Sequence, residues 1–330
     1  MMERKAPARD LLLSAALIVA MLLLAALYLA ALALPLWLHS VQLLPLHWAL
    51  VADAVLLGLF AFQYRSLDWA ALRASRARFV GPAEAPMLHA AVERLCGVAA
   101  LPKPRLAVVE TDIPDAFAAG RNPARSTIAI TRGLVARLEP AEIEGVLAHE
   151  LAHVANRDGA VMTVASFPAL SLREGLREAP LRVWIFGLPL MLAACVAYAF
   201  STALMLTVSR CREYSADRGA AIITGAPEQL MSALQKIAGT MPAIPEEDLR
   251  RVASMTAFFI VPPKLRSLTH PPLERRLERL AAISRELGKP AIPATIAAPE
   301  PRASRLNLLL AAATFAVVFA FVVVVGTVVR

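Results

Sequence analysis

Apolar stretches at residues 11–34, 41–62, 183–209 and 306–329 divide this chain, and Asp53 is the one charge among them. Each meets the roughly 20 residues that an α-helix needs to cross a bilayer's hydrocarbon, so each predicts a membrane helix. The first exceeds the ~7–15 apolar residues of a secretory signal, which makes it an uncleaved anchor. A fifth stretch, 159–172, is short for a span at about 1.5 Å per residue. Arg4, Lys5 and Arg9 precede the first stretch, and Arg65, Arg73, Arg76 and Arg78 follow the second. Basic flanks stay in the cytoplasm, so residues 1–62 read as a hairpin with a short outer loop. Asp53 is expected to face another helix as a protonated or hydrogen-bonded group.

The mixed polar and apolar pattern of water-exposed structure occupies 63–158 and 210–305. Residues 84–96 predict a helix, with Leu88, Val92 and Leu95 on one face and Gly97 to stop it. Residues 105–110 and 126–131 predict strands, with turn material at 119–123. Pro140 suits the first position of a helix, and Glu142 and Glu144 suit its positive end. In the second stretch, 209–223, 227–237 and 272–287 predict helices. Pro290, Pro293, Pro299 and Pro301 make 288–305 an extended linker. The expected fold class is a mostly α membrane protein, with about four to five transmembrane helices and a small α+β domain. The expected organisation is a membrane hairpin (1–62), two halves of the soluble domain (63–158 and 210–287), a membrane hairpin or embedded insertion between them (159–209), the linker (288–305) and a final transmembrane helix (306–330).

Composition sharpens this picture. The 330 residues are 58% hydrophobic and 18% charged, with mean hydropathy +0.58. A soluble domain is nearer 45–50% apolar and about 25% charged, so disorder is excluded and an ordinary soluble enzyme disfavoured. The net charge of +8 belongs with the flanks of the membrane helices. With neither a Gly-rich phosphate loop nor a basic-aromatic surface, no nucleic-acid partner is expected. Cys96, Cys195 and Cys211 are odd in number and lack CxxC spacing, so neither a disulfide framework nor a cysteine metal site follows.

The chemistry concentrates at His149-Glu150-Leu151-Ala152-His153. Positions i and i+4 of a helix share a face, so the two imidazoles can bind one Zn²⁺ with Glu150 alongside as base toward a water. Zinc lowers the pKa of such a water toward ~7. Both histidines lie in the apolar run 146–154, where two uninvolved imidazoles would have no reason to be buried. A catalytic zinc takes three protein ligands and keeps one position open. No third histidine follows at short spacing, which points to a carboxylate. Glu213 is the best placed, in Ser209-Arg210-Cys211-Arg212-Glu213-Tyr214-Ser215-Ala216-Asp217. Asp217, one turn on, can accept the outer N–H of a ligand histidine.

Five blocks then resemble the HtpX-like integral-membrane metallopeptidases, gluzincins related to the CaaX prenyl proteases. They are Pro114 to Gly120 (PDAFAAG), Thr131-Arg132-Gly133-Leu134, the run from Glu144 to Asp158, Ser209-Arg210-x-x-Glu213-x-x-x-Asp217, and Thr269-His270-Pro271-Pro272-x-x-x-Arg276. The resemblance implies one zinc per chain on His149, His153 and Glu213, Glu150 as general base and Asp217 behind the ligands. It implies that His270 and Arg276 line the site and stabilise the oxyanion. It also implies an edge strand, Ser126, Thr127, Ile128, Ala129, Ile130 and Thr131, on which an extended substrate adds as a further strand. Three departures stand out: Asp115 replaces the family's usual Asn, the segment after the zinc helix is short for the family's third membrane helix, and the final membrane helix is additional.

The reading is a zinc endopeptidase of a bacterial inner membrane that cleaves misfolded or membrane proteins at the cytoplasmic face. Its partners are polypeptide substrates and the bilayer. A narrow-specificity processing protease of the CaaX kind and a non-catalytic metal-binding membrane sensor are the alternatives. His153 and Glu213 must reach one metal, so the chain between them crosses the membrane an even number of times. Either 159–172 is the partner crossing to 183–209, the favoured reading because a continuous helix satisfies its own backbone, or 183–209 enters and returns.

Overall fold

The computed structural model describes residues 11–180, 187–240 and 269–289. The final apolar stretch and nearly all of the proline-rich linker lie outside the described residues. The chain forms two compact units. One takes Leu12–Arg65 and Met162–Val208, the other Ser66–Val161 and the described residues from Ser209 onward.

The first unit is helical. Helix α1 (Leu11–Ser40) and helix α2 (Leu46–Ala74) are joined by a tight turn in which Gln42 takes a positive φ of 61°. Helix α6 (Asp158–Glu178) and helix α7 (Leu188–Thr224) bring further residues to this unit. Tyr28 donates its hydroxyl to the Val164 carbonyl at 2.8 Å, and its ring stacks on Phe167 at 6.2 Å and meets Phe60 edge-on at 5.7 Å. Leu22, Leu29, Trp48, Leu57 and Phe62 are exposed, a surface suited to lipid. Among the described residues, Leu11–Ser40, Leu46–Ser66 and Met191–Thr224 are long and apolar enough to cross a membrane. This is a membrane protein. Helix α6 is not among those three, and it carries Pro168. Its packing against Tyr28 and Phe60 nevertheless places 162–178 with the apolar helices.

The second unit is α+β. Strands β1 (Arg78–Phe79), β2 (Arg105–Val109), β3 (Ala116–Ala119) and β4 (Thr127–Thr131) form one sheet in the order β1-β2-β4-β3. The β2–β4 pair is parallel, with Leu106 opposite Ile128; the β3–β4 pair is antiparallel, with Phe117 opposite Ala129. One sequence expectation is corrected here. Ser126 to Thr131 is not an edge: β4 lies between β2 and β3, and all five of its residues are buried. The free edge on that side is β3. The reason is the turn at 120–126, which folds β3 back onto β4. Gly120 takes φ +136°, and a Cβ on it would lie 2.7 Å from Ser126 Cα; Asn122 accepts the Ala124 N–H at 3.0 Å.

Helix α3 (Pro86–Ala99) runs through Gly97 and stops only where Ala100 turns left-handed, so that glycine is no terminator. Helix α4 (Arg132–Arg137) follows the sheet. Helix α5 (Pro140–Ala155) is buried almost all round, from Ile143 through Ala152. Such a helix needs neighbours on several sides. It packs on the sheet, on α3 and on helix α8 (Pro227–Thr240). At Gly145 a Cβ would lie 2.7 Å from the Leu230 backbone nitrogen of α8, so glycine permits this approach. Helix α9 (Leu273–Glu286) buries Leu277 and Leu280 against α8.

Glu142 ties α5 to α8. Its carboxylate accepts the Glu139 N–H at 2.8 Å, the Ser232 hydroxyl at 2.6 Å and the Lys236 ammonium at 2.8 Å. Burial alone would raise its pKa, but the hydrogen bonds and the Lys236 charge hold it below the usual carboxylate range. A depressed folded pKa contributes stability above the unfolded value of about 4.3 that is lost as pH falls through the folded one. Glu142→Gln should therefore lower the thermal midpoint at neutral pH, and the deficit should shrink as the pH is brought below ~4. A deficit that stayed constant across that range would show the charge to be immaterial.

Candidate metal centre

His149 and His153 come from one face of α5, Glu213 from α7. The His149 and His153 Nε2 atoms stand 3.1 Å apart. Glu213 Oε2 is 3.8 Å from His149 Nε2, and Oε1 is 3.6 Å from His153 Nε2. Four ligands at zinc distances define tetrahedral edges of roughly 3.3–3.5 Å, close to this spacing. The outer nitrogens face carboxylates: His149 Nδ1 lies 3.1 Å from Asp217 Oδ1, and His153 Nδ1 lies 2.5 Å from Asp158 Oδ2. When each Nδ1 carries the proton facing its carboxylate, both Nε2 atoms are bare. Two lone pairs 3.1 Å apart repel unless a cation lies between them. Glu213 Oε2, moreover, is buried without a hydrogen bond. The donor set fits a divalent metal, and among the described residues it is the group able to hold one.

Glu150 is buried beside the histidines, on the side of the sheet. The pair Asp115–Thr131 is hydrogen-bonded, the Thr131 N–H donating to the Asp115 carbonyl at 2.9 Å. By antiparallel alternation, Ala116 and Ala118 turn their N–H and C=O groups away from β4, toward the free edge. The Ala118 N–H donates to the Glu150 carboxylate. Burial pushes the Glu150 carboxyl up to about 7, against the opposing pull of His153 and that N–H.

Arg276 reaches in from α9. Its Nε and Nη2 donate to the two Asp217 oxygens at 2.8 and 2.6 Å, and Nη1 is 3.3 Å from Glu213 Oε2. Burial would lower its pKa, and Asp217 more than reverses that. Arg276 thus stands behind the ligands with its fork committed to Asp217. His270 is buried at the same carboxylate: Nε2 is 3.8 Å from Glu213 Oε1, and Nδ1 is 3.0 Å from the Thr269 hydroxyl. Burial lowers its pKa below the usual imidazole value, against the opposing pull of Glu213. Of the residues singled out from sequence, His149, Glu150, His153, Glu213, Asp217, His270 and Arg276 come together here. Thr127 to Thr131 form the inner strand β4 instead, with Ser126 just before it. Asp158 and Arg212 are additions that the sequence reading had not assigned.

The sequence profile of peptidase family M48 matches residues 82–284. The chain belongs to peptidase family M48. Protease HtpX homolog 2 of Methanosarcina mazei is 45% identical over 247 residues, 70% of this chain and 84% of that protein. Protease HtpX homolog 1 of Streptomyces coelicolor is 44% identical over 264 residues, 74% and 86% of the two chains. The crystal structure of S. mikatae Ste24p aligns with a TM-score of 0.45 at 19% identity, covering 69% of this chain and 57% of that one. The family and the HtpX homologues make this chain a membrane protease of family M48, and it carries a His-His-Glu group able to hold a metal.

The distance between α5 and α7 fixes the ligand set. A Cβ on Gly219 would stand 2.6 Å from the Ala152 Cβ, next to His153. Gly219→Ala should force the helices apart, cost about 1–3 kcal/mol of overpacking and lower metal retention after dialysis. Gly175→Ala, with nothing within 4 Å of its Cβ, should do neither. Equal metal content in the two variants would refute the helix spacing as the determinant.

Proposed function

We propose that this protein is a zinc endopeptidase that hydrolyses misfolded or membrane-derived polypeptides at the cytoplasmic face. The observation that carries the reading is the contact of Glu150 with the free edge β3, beside the His149–His153–Glu213 group. An extended substrate added to β3 hydrogen-bonds to the outward N–H of Ala116 and the outward C=O of Ala116 and Ala118. That places a peptide bond across the metal group and against Glu150. Glu213, His149 and His153 would hold zinc, which would supply Lewis-acid polarisation of the scissile carbonyl and a more acidic water. Glu150 takes the attacking water's proton on its carboxylate and passes it to the leaving amine, so water and peptide become a carboxylate and an amine. A carboxyl with a pKa near 7 suits both halves of that transfer. His270 stands where a developing oxyanion can be stabilised. Asp217, held by Arg276, keeps His149 oriented. Selectivity for unfolded segments follows from strand addition, because a folded chain has no free extended backbone to offer.

Glu150→Gln keeps the size and the Ala118 contact but cannot accept the proton. Proteolysis of an unfolded protein should fall by at least ~10²-fold with zinc still bound. Undiminished cleavage by the purified variant would rule out Glu150 as the base.

The cytoplasmic assignment is supported by Arg65, Arg73, Arg76 and Arg78 after the second apolar stretch. In a cysteine-free background, a cysteine at the exposed Asp112 position should resist an impermeant thiol reagent on intact cells and react once the membrane is opened. One at Arg177 should react from outside if 159–172 and 183–209 form a hairpin. Outside labelling of position 112 would place the site on the opposite face.

A further inference from the structure

We propose that Asp158 and Arg212 form a second positioning pair for the metal ligands, the counterpart of Asp217 and Arg276, and that this pair sets how tightly the group holds a divalent cation. The proposal rests on the reading of His149, His153 and Glu213 as a metal centre.

The local chain explains how Asp158 comes to be there. Helix α5 ends at Ala155, and the Asn156 N–H closes it on the Ala152 carbonyl at 3.0 Å. Arg157 then takes φ 54°, a left-handed conformation that L residues adopt only at a cost. The reversal starts α6 at Asp158, five residues after His153, and turns its carboxylate back to His153 Nδ1. Gly159 lets this turn press on the end of β3, since a Cβ there would lie 2.5 Å from the Gly120 carbonyl oxygen. Asp158 is 4% exposed, and its second oxygen lies 3.1 Å from Arg212 Nε. Arg212 immediately precedes Glu213 on α7.

The pair therefore has a ligand at each end. Asp158 fixes the His153 ring and leaves Nε2 as the donor nitrogen; Arg212 holds the carboxylate in place from the residue beside the third ligand. The arrangement parallels the Arg276–Asp217–His149 chain with elements exchanged, though through one ion pair where Arg276 makes two hydrogen bonds. Without it the His153 ring is free to turn, and α7 loses a tether to the end of α5.

Cobalt(II) is the probe, because its visible bands report coordination number and ligand field. The full chain in detergent, stripped of metal, is titrated with Co²⁺ as wild type, Asp158→Asn, Arg212→Gln and the double variant, with Glu213→Ala as the reference for ligand loss. Each single variant should lose about 10–100-fold in Co²⁺ affinity and shift the bands. The double should lose little more than the worse single, as expected for one shared interaction, and Arg212→Lys should recover part of the loss. A role confined to folding would instead lower the thermal midpoint of the metal-free protein and leave affinity and spectrum unchanged, which would overturn the proposal. Additive losses would overturn it as well. If Asp158→Asn fails to fold, Arg212→Gln decides by the same two readings. Wild type that bound no Co²⁺ would fail the metal-centre reading itself; wild-type binding with unaltered variants would fail the positioning pair alone.

Discussion

Burying charge is the constraint on which this structure depends. Asp158, Glu213, Asp217, Arg212 and Arg276 all lie within reach of two imidazoles in the interior of the α+β unit. Buried ions are tolerated only when paired. Three carboxylates against two guanidinium groups leave one negative charge, and an ionised Glu150 makes two. A divalent cation on the facing Nε2 atoms and Glu213 brings the sum to zero. The chemistry of the donor set and its electrostatics thus demand the same occupant. The pKa of the Glu150 carboxyl is raised first by burial, and the nearby Glu213 charge adds to the shift.

Packing serves that network. Helix α5 presents ligands on one face and apolar side chains elsewhere, so it must be enclosed. Enclosure at these distances requires the absence of side chains at particular points: Gly145 toward α8, Gly219 toward Ala152, Gly159 toward Gly120. Each glycine forgoes helix propensity or chain entropy, and each lies where two backbones meet near the site. The sheet contributes differently. Its free edge β3 supplies outward backbone groups, one of which already holds Glu150. In the proposed reaction, substrate docking and orientation of the base would share this strand.

Much of this was legible in the chain. The i, i+4 histidines in an apolar run require a buried polar face, and Glu213 and Asp217 repeat that spacing on a second helix. The apolar stretches announced the membrane helices by length alone, and the strands at 105–110 and 126–131 showed in their β-branched residues. What was not legible has physical reasons. Strand β3 is Ala-Phe-Ala-Ala, a sequence with weak strand preference, formed because the turn at 120–126 delivers it to β4. Its presence makes β4 an inner strand, which no periodicity in residues 126–131 reveals. Gly97 looks like a helix stop, yet the helix continues to Ala99 because Leu95 and Cys96 are already buried in the core. The contact of Asp158 with His153 crosses a helix end through a left-handed arginine, and neither the 3.6 nor the 2.0 repeat predicts such a reversal.

The order of the ligands along the chain has a consequence for assembly. Residues before the apolar segment 162–208 supply His149, Glu150, His153 and Asp158; residues after it supply Arg212, Glu213, Asp217, His270 and Arg276. The first half does not neutralise its own buried charge, whereas in the second Arg212 and Arg276 match Glu213 and Asp217 in number. The first half leaves Asp158 without a guanidinium, and the second has Arg276 but lacks the imidazole that Asp217 faces. Two histidines alone are also a poor divalent site. Tight metal binding and charge compensation therefore arise together, only when both halves have docked. Because a ligand that binds only the assembled form stabilises it by mass action, a metal held there would act as a clasp between segments that 47 intervening residues (Met162–Val208) hold apart in sequence.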